Sequence, residues 1–233
     1  MSIIKRNWKI IHKYSIISIY VVMFTCALLQ ITHLFDNYIT LISGFLFIFL
    51  AIFTFYLSNE FAYLRQEKSD FKNKHSILFI SVVVVFFVLH LIGEKTTYIF
   101  GSYQYGDTLL PKLLGTPIAI GFIWYSTMLS TAGLIQKYSK INHRMLSKHI
   151  KAIVVAFFMM YFDILFEPVA VSLGYWSWQN SIVPFQNYIA WFVLSYVVAL
   201  IGYKSKVLDN SLPKFVIHLY FAQLIYFVLI YFK

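Results

Sequence analysis

The chain has 233 residues, of which 60% are hydrophobic and 12% charged, with a mean hydropathy of +0.73. A soluble domain of this length needs far more polar surface, so the composition excludes one and places the chain in a membrane. The net charge of +10 does not indicate nucleic acid, because the basic residues alternate with the apolar runs as membrane topology requires.

Spanning a bilayer takes about 20 apolar residues. By that measure the sequence predicts seven transmembrane helices, at 14–35, 38–58, 76–93, 115–135, 149–174, 185–203 and 213–232. The expected fold is all-α: a single polytopic membrane helix bundle covering residues 1–233. The runs are too continuous for barrel strands, which alternate polar and apolar residues. The first run lacks a small-residue cleavage site and reads as a spanning helix. It contains Cys26, the single cysteine, which leaves no disulfide or thiolate metal site within one chain.

Sixteen of the nineteen Lys and Arg fall on one side of this arrangement. They occupy the N-terminal arm (Lys5, Arg6, Lys9, Lys13) and the second connection (Arg65, Lys68, Lys72, Lys74). The fourth connection holds Lys137, Lys140, Arg144, Lys148 and Lys151, and the sixth holds Lys204, Lys206 and Lys214. Lys95, Lys112 and Lys233 lie opposite. The positive-inside rule then puts the N-terminus in the cytoplasm and the C-terminus outside, in the cell (inner) membrane. Gly115-Thr116-Pro117 reads as a capped helix start, and Ser211-Leu212-Pro213 reads the same way. The outward connection 94–114 is long, aromatic and glycine-punctuated. The outward connection 174–184 carries no Lys or Arg.

The fifth run carries the chemistry. Asp163 and Glu167 are four apart and share a helix face. Pro168 follows and removes a backbone donor beside them. An acid at the centre of a membrane helix costs about 2.5–3.5 kcal/mol, so two on one face mark a functional site. Asp163 lies about 18 Å along the helix from residue 151, near mid-bilayer. His90 and Glu94 form a second pair four apart, approaching the same level. A structural reading, in which the acids merely bond to Tyr, Trp or Asn, competes with this one. Trp176 and Trp178 read more as interface-belt residues than as ligand walls, and Tyr103 and Tyr105 divide in the same way. Asp107 reads as solvated.

His90, Glu94, Asp163 and Glu167 are ligand types for a transition metal, but their spacing is not the Glu-x-x-His of di-iron bundles, so no metal is expected. The sequence has no phosphate loop, nucleophile elbow or zinc-protease motif. The last run has no lysine between Lys214 and Lys233, which argues against a retinal protein. No repeat supports a transporter.

Two blocks then carry a resemblance. The first is Glu94…Phe100-Gly101-x-Tyr103-x-Tyr105…Leu113-x-Gly115-x-Pro117…Trp124. The second is Asp163-x-x-x-Glu167-Pro168-x-Ala170…Gly174-x-Trp176-x-Trp178…Val183-Pro184-x-x-Asn187…Trp191. Across roughly residues 90–191 the chain resembles the integral membrane carotenoid biosynthesis proteins, a family that includes the carotenoid 1,2-hydratases and bisanhydrobacterioruberin hydratase. The chain departs from the family around Tyr98 and at Tyr188-Ile189-Ala190.

The resemblance implies a hydro-lyase that needs no cofactor and no metal. It would add water to the terminal 1,2 double bond of an acyclic carotenoid, which arrives from the lipid of the bilayer. Nucleic acid is not an expected partner. Such chemistry needs a buried neutral acid, a shelter of aromatic faces for a tertiary cation, and a base for one admitted water. The expected catalytic residues are Asp163 as proton donor, Glu167 or Glu94 as base, and His90 as relay. Tyr103, Tyr105, Trp178 and Trp191 are expected to line the end-group pocket, with Asn187 bonding an acid or the water. The competing readings are a cyclase or isomerase using the same protonation, and a carotenoid-binding or transport protein that converts nothing.

Overall fold

A computed structural model describes residues 2–66, 70–138 and 146–233. Seven helices of 18 residues or more occur among them: α1 Ser2–Ile31, α2 Asp36–Leu64, α3 Phe71–Thr96, α4 Ala119–Tyr138, α5 Lys148–Ser172, α6 Phe185–Lys204 and α7 Lys214–Tyr231. Lys68, Lys140 and Arg144, which enter the charge argument above, lie outside the described residues.

All helices except α4 are long and apolar enough to cross a membrane. Their outward faces expose Phe24, Phe45, Phe49, Ile77, Val84, Phe157, Val193 and Val228. So much bare apolar surface is stable only against lipid, and the chain is an integral membrane protein built as a helical bundle.

The exception is α4, and its packing explains its composition. It touches α2, α3, α5 and α7, and between residues 119 and 135 only Phe122 escapes full burial. A helix enclosed by protein has no need of a lipid-compatible surface, so it tolerates Ser126, Thr127, Ser130 and Thr131. Ser126 and Thr131 return their hydroxyls to carbonyls of their own helix.

α1 at its start, and α2 and α3 at both ends, run past the apolar windows that predict them. α1 starts twelve residues before the expected 14 and ends at Ile31, and α2 extends to Leu64. α3 starts at Phe71 because its first turns, though polar, are bonded. His75 Nδ1 meets Asn59 Oδ1 at 3.1 Å, and its Nε2 meets the Tyr125 hydroxyl at 2.6 Å. This buried bridge ties α2, α3 and α4 together near the basic end. Lys151 also turns inward, to Asp209 Oδ1 at 2.6 Å and over the Tyr203 ring. α5 opens on Ser147, whose hydroxyl accepts the Ile150 N–H, and continues through Pro168 for one further turn.

The opposite end holds two short antiparallel ribbons that an all-α reading lacks. β1 (Tyr103–Tyr105) pairs with β4 (Trp176–Trp178), and β2 (Lys112–Leu113) pairs with β3 (Thr116–Pro117). The expected cap at Gly115-Thr116-Pro117 is therefore a hairpin arm, and α4 begins two residues later. Likewise Pro213 itself is the N-cap of α7, with no side-chain cap bond.

In the β1–β4 ribbon, Tyr103 faces Trp178, Gln104 faces Ser177 and Tyr105 faces Trp176. Alternation puts the four aromatic side chains on one face. Gln104 and Ser177 point out and are exposed. The ribbon continues through the Gly106 N–H to the Tyr175 carbonyl and the Gln179 N–H to the Ser102 carbonyl. Two glycines make this possible. A methyl on Gly106 would lie 2.0 Å from the Gly174 carbonyl oxygen, and Gly101 adopts φ +98° against the Pro184 ring. The ribbon thus closes the bundle over the upper turns of α3 and α5.

Candidate active site

α5 presents Asp163 and Glu167 one turn apart toward α6, the helix it packs against most closely. Both acids are buried, and so is Asn187 in the first turn of α6. The Asn187 amide nitrogen donates to Asp163 Oδ2 at 2.8 Å and to Glu167 Oε1 at 3.2 Å. One side chain therefore bridges the two carboxyls.

The ribbon supplies the other donors. Trp176 and Trp178 both donate their indole N–H to Glu167 Oε2, at 2.9 and 2.7 Å. Strand alternation aims both indoles downward, and the helix places Glu167 below them. Glu167 thus receives three N–H donors. Asp163 receives one, and its Oδ1 has no hydrogen-bond partner although it is buried. Unpartnered buried oxygens are rare and call for an explanation.

Beside the acids is a cavity of about 20 Å³ lined by His90, Tyr103, Tyr105, Trp124, Asp163, Phe166, Glu167, Asn187 and Trp191, among others. That is room for about one water molecule. Apart from the acids and Asn187 its wall is aromatic, with Ile120 and Ile123. Trp124 stacks on Phe86 at 3.8 Å and on Trp191 at 3.9 Å, forming a column of three rings. Tyr103 lies 5.1 Å from Trp178.

His90 belongs to the wall, and both its ring nitrogens are engaged. Trp124 Nε1–H donates to His90 Nε2 at 3.1 Å, which leaves the ring proton on Nδ1. Nδ1 faces the Tyr105 hydroxyl at 3.0 Å, while the Tyr103 hydroxyl donates to the His90 carbonyl at 3.1 Å. The imidazole also stacks on Phe100 at 4.2 Å. Burial pushes both phenols above their ordinary range, so they stay protonated.

Of the expected site residues, the structure gathers Asp163, Glu167, His90, Tyr103, Tyr105, Trp178, Asn187 and Trp191 around this cavity. Glu94 stands apart. Its carboxylate accepts the Tyr105 N–H at 3.3 Å and the Thr116 hydroxyl at 3.4 Å, fastening both ribbons to α3. Asp107 is fully exposed and pairs with Lys112. Among the described residues, no three His, Cys, Asp or Glu side chains converge as metal ligands.

Trp124 and Phe166 also line the cavity, and neither is among the site residues expected from sequence, although Trp124 closes the first resemblance block. Trp124 carried a signal as the one indole in a Ser/Thr-rich helix. Phe166 carried none.

A family model described as carotenoid biosynthesis protein matches residues 45–232. The chain belongs to the carotenoid biosynthesis protein family. Every residue of the cavity falls within the matched span, and α1 falls outside it. A curated relative, bisanhydrobacterioruberin hydratase of Haloarcula japonica, is 26% identical over 117 residues, which cover 48% of this chain and 39% of the relative. The chain therefore spans about two-fifths of that relative's length. No solved structure matches the chain.

Proposed function

We propose that this chain hydrates the terminal 1,2 double bond of an acyclic carotenoid, using its own carboxyl groups and no cofactor. The observation that carries the reading is the Asn187-bridged acid pair beside an aromatic cavity, with one Asp163 oxygen unpartnered.

The two acids are set up for different roles. Three N–H donors converge on Glu167, and donors of that kind favour a carboxylate. Asp163 has one donor and a charged neighbour sharing the same amide, so a second negative charge there is disfavoured. Asp163 holds the proton, and Oδ1 is where it is offered.

The alkene π pair takes that proton onto one carbon and leaves a tertiary cation on the other. The electron-rich faces of Trp191 and Tyr103 shelter the cation, each desolvated contact being worth about 2 kcal/mol. Water attacks the cation and surrenders its proton to Glu167. That proton then passes to Asp163, which restores the pair, and the net change is one water added. The cavity suits one water, so an end group enters only as wall side chains move aside. The polyene chain remains in the lipid. On the charge argument the ribbon end lies outside.

The similarity to a protein named as a hydratase supports the reaction type. The test is expression in a host that makes an acyclic carotene. A mass gain of one water supports hydration. Unchanged mass with altered absorption means cyclisation or isomerisation, and bound but unconverted pigment means a carrier.

A further inference from the structure

Hydration in an apolar bundle requires water to reach one buried place without flooding it. Seven buried side-chain atoms among the described residues lack a hydrogen-bond partner, and three of these fall on one line.

The line starts at the ribbon end. There a vestibule of about 480 Å³ is lined by the polar side chains of Gln30, Thr40, Thr108, Ser172 and Lys233 and by Leu41 and Leu173. Ser172 and Lys233 are exposed, so it is open to its surroundings. Gln30 is 0% exposed and forms the vestibule's inner limit. Its Oε1 accepts the Tyr226 hydroxyl at 2.6 Å, while its Nε2 has no partner.

Tyr226 lines the next space, a cavity of about 30 Å³ between α1, α2 and α7, together with Ser43, Tyr175 and Gln223. Gln223 sits three residues before Tyr226 on the same face of α7. It is 2% exposed, and its Oε1 has no partner. This cavity also exceeds the size needed for one water.

The far wall is Phe47 and Phe227. Their rings lie 6.0 and 4.9 Å from that of Phe166, which lines the acid cavity. Two aromatic layers, Phe47 with Phe227 and then Phe166, thus separate the second cavity from the acid cavity, where Asp163 Oδ1 is the third unpartnered atom.

We propose that this line is the water route of the enzyme. Water enters the vestibule, passes the Gln30–Tyr226 pair, waits on Gln223, and reaches the acid pair when the stacked Phe227 and Phe166 rings swing together. An unpartnered donor followed by an unpartnered acceptor is a set of contacts that water satisfies and a hydrocarbon does not. A polyene taking the same path would leave both amides unsatisfied. The route keeps the water supply separate from the lipid side, where the substrate arrives. It rests on the hydration reading.

The test uses the full chain in detergent or nanodiscs, with Gln223→Leu and the isosteric Tyr226→Phe. Radiolytic hydroxyl labelling in heavy-oxygen water reports water directly at Met23, Cys26 and Tyr175. Conversion of an acyclic carotene is measured alongside, with bound unconverted carotene as the control for folding. Expected are labelling in wild type, loss of label in the variants, and conversion lowered about tenfold or more with carotene still bound. Absence of label in wild type, or conversion in both variants within about twofold of wild type, overturns the route. Wild type that is labelled but converts nothing, with label lost in Gln223→Leu, leaves the water route standing and overturns the hydration reading.

Discussion

Asn187 on α6 holds Asp163 on α5 by a single 2.8 Å bond to Oδ2, leaving Oδ1 turned to the cavity without a partner. The bond restrains the carboxyl through one oxygen and leaves the other available. A general acid needs that restraint as much as it needs a proton.

Asp163→Asn keeps the shape and the Asn187 contact through its carbonyl, and it removes the transferable proton. Product should fall by about 10²–10⁴-fold, with protein yield and dispersity unchanged. Chromatography and mass spectrometry of extracted carotenoids measure it. Full retained conversion would exclude Asp163 as donor.

Glu167→Gln tests the acceptor. The amide oxygen can still take both indoles, but its NH₂ then faces the Asn187 NH₂. Donor facing donor in a buried place costs about 1–3 kcal/mol. Expected are a lower Tm, read by thermal shift or tryptophan fluorescence, and a turnover loss beyond what that instability explains. Normal turnover at a lowered Tm would reduce Glu167 to a structural role.

His90→Gln separates relay from brace. Both imidazole nitrogens bond to the aromatic wall, and Gln can supply one acceptor for Trp124 and one donor for Tyr105. As a brace, the variant keeps conversion within about tenfold of wild type while Tm drops. A loss as deep as that of Asp163→Asn, at unchanged Tm, would make His90 part of the proton path.

Gly106→Ala addresses the ribbon. The new methyl meets the Gly174 carbonyl oxygen at 2.0 Å, so the strands must part. Overpacking of this kind costs about 1–3 kcal/mol. Because both indoles hang from the same ribbon, conversion should fall with stability, and tryptophan emission should shift red as Trp176 and Trp178 lose their shelter. An unshifted spectrum with normal conversion would refute the claim that the ribbon holds Glu167.

The acid pair was legible in the sequence because helix periodicity is a local property. Residues 163 and 167 share a face whatever surrounds them, and so do His90 and Glu94. Periodicity gives no information about where a side chain ends. Glu94 reaches up to the Tyr105 N–H and Thr116 instead of inward to the acids. The ribbon joins three residues at 103 with three at 176, and pairing across that separation leaves no local trace. Its one clue was alternation, Tyr-x-Tyr and Trp-x-Trp, which is the period of a strand. The expected cap before α4 failed for a related reason: Thr116-Pro117 suits a helix start but is claimed by pairing with Lys112-Leu113. α4 read as an ordinary span, because the sequence does not record that neighbours enclose it.

That enclosure bears on how the protein is made. α4 contacts α2 and α3, which precede it, and α5 and α7, which follow. Enclosed by helices on both sides of it in the chain, α4 reaches its final surroundings only after α5 and α7 have been made. α7 packs against both α1 and α4, so it works as the keystone of the assembly. A chain ending before residue 214 would lack the helix that packs on both α1 and α4, and those faces would be left bare.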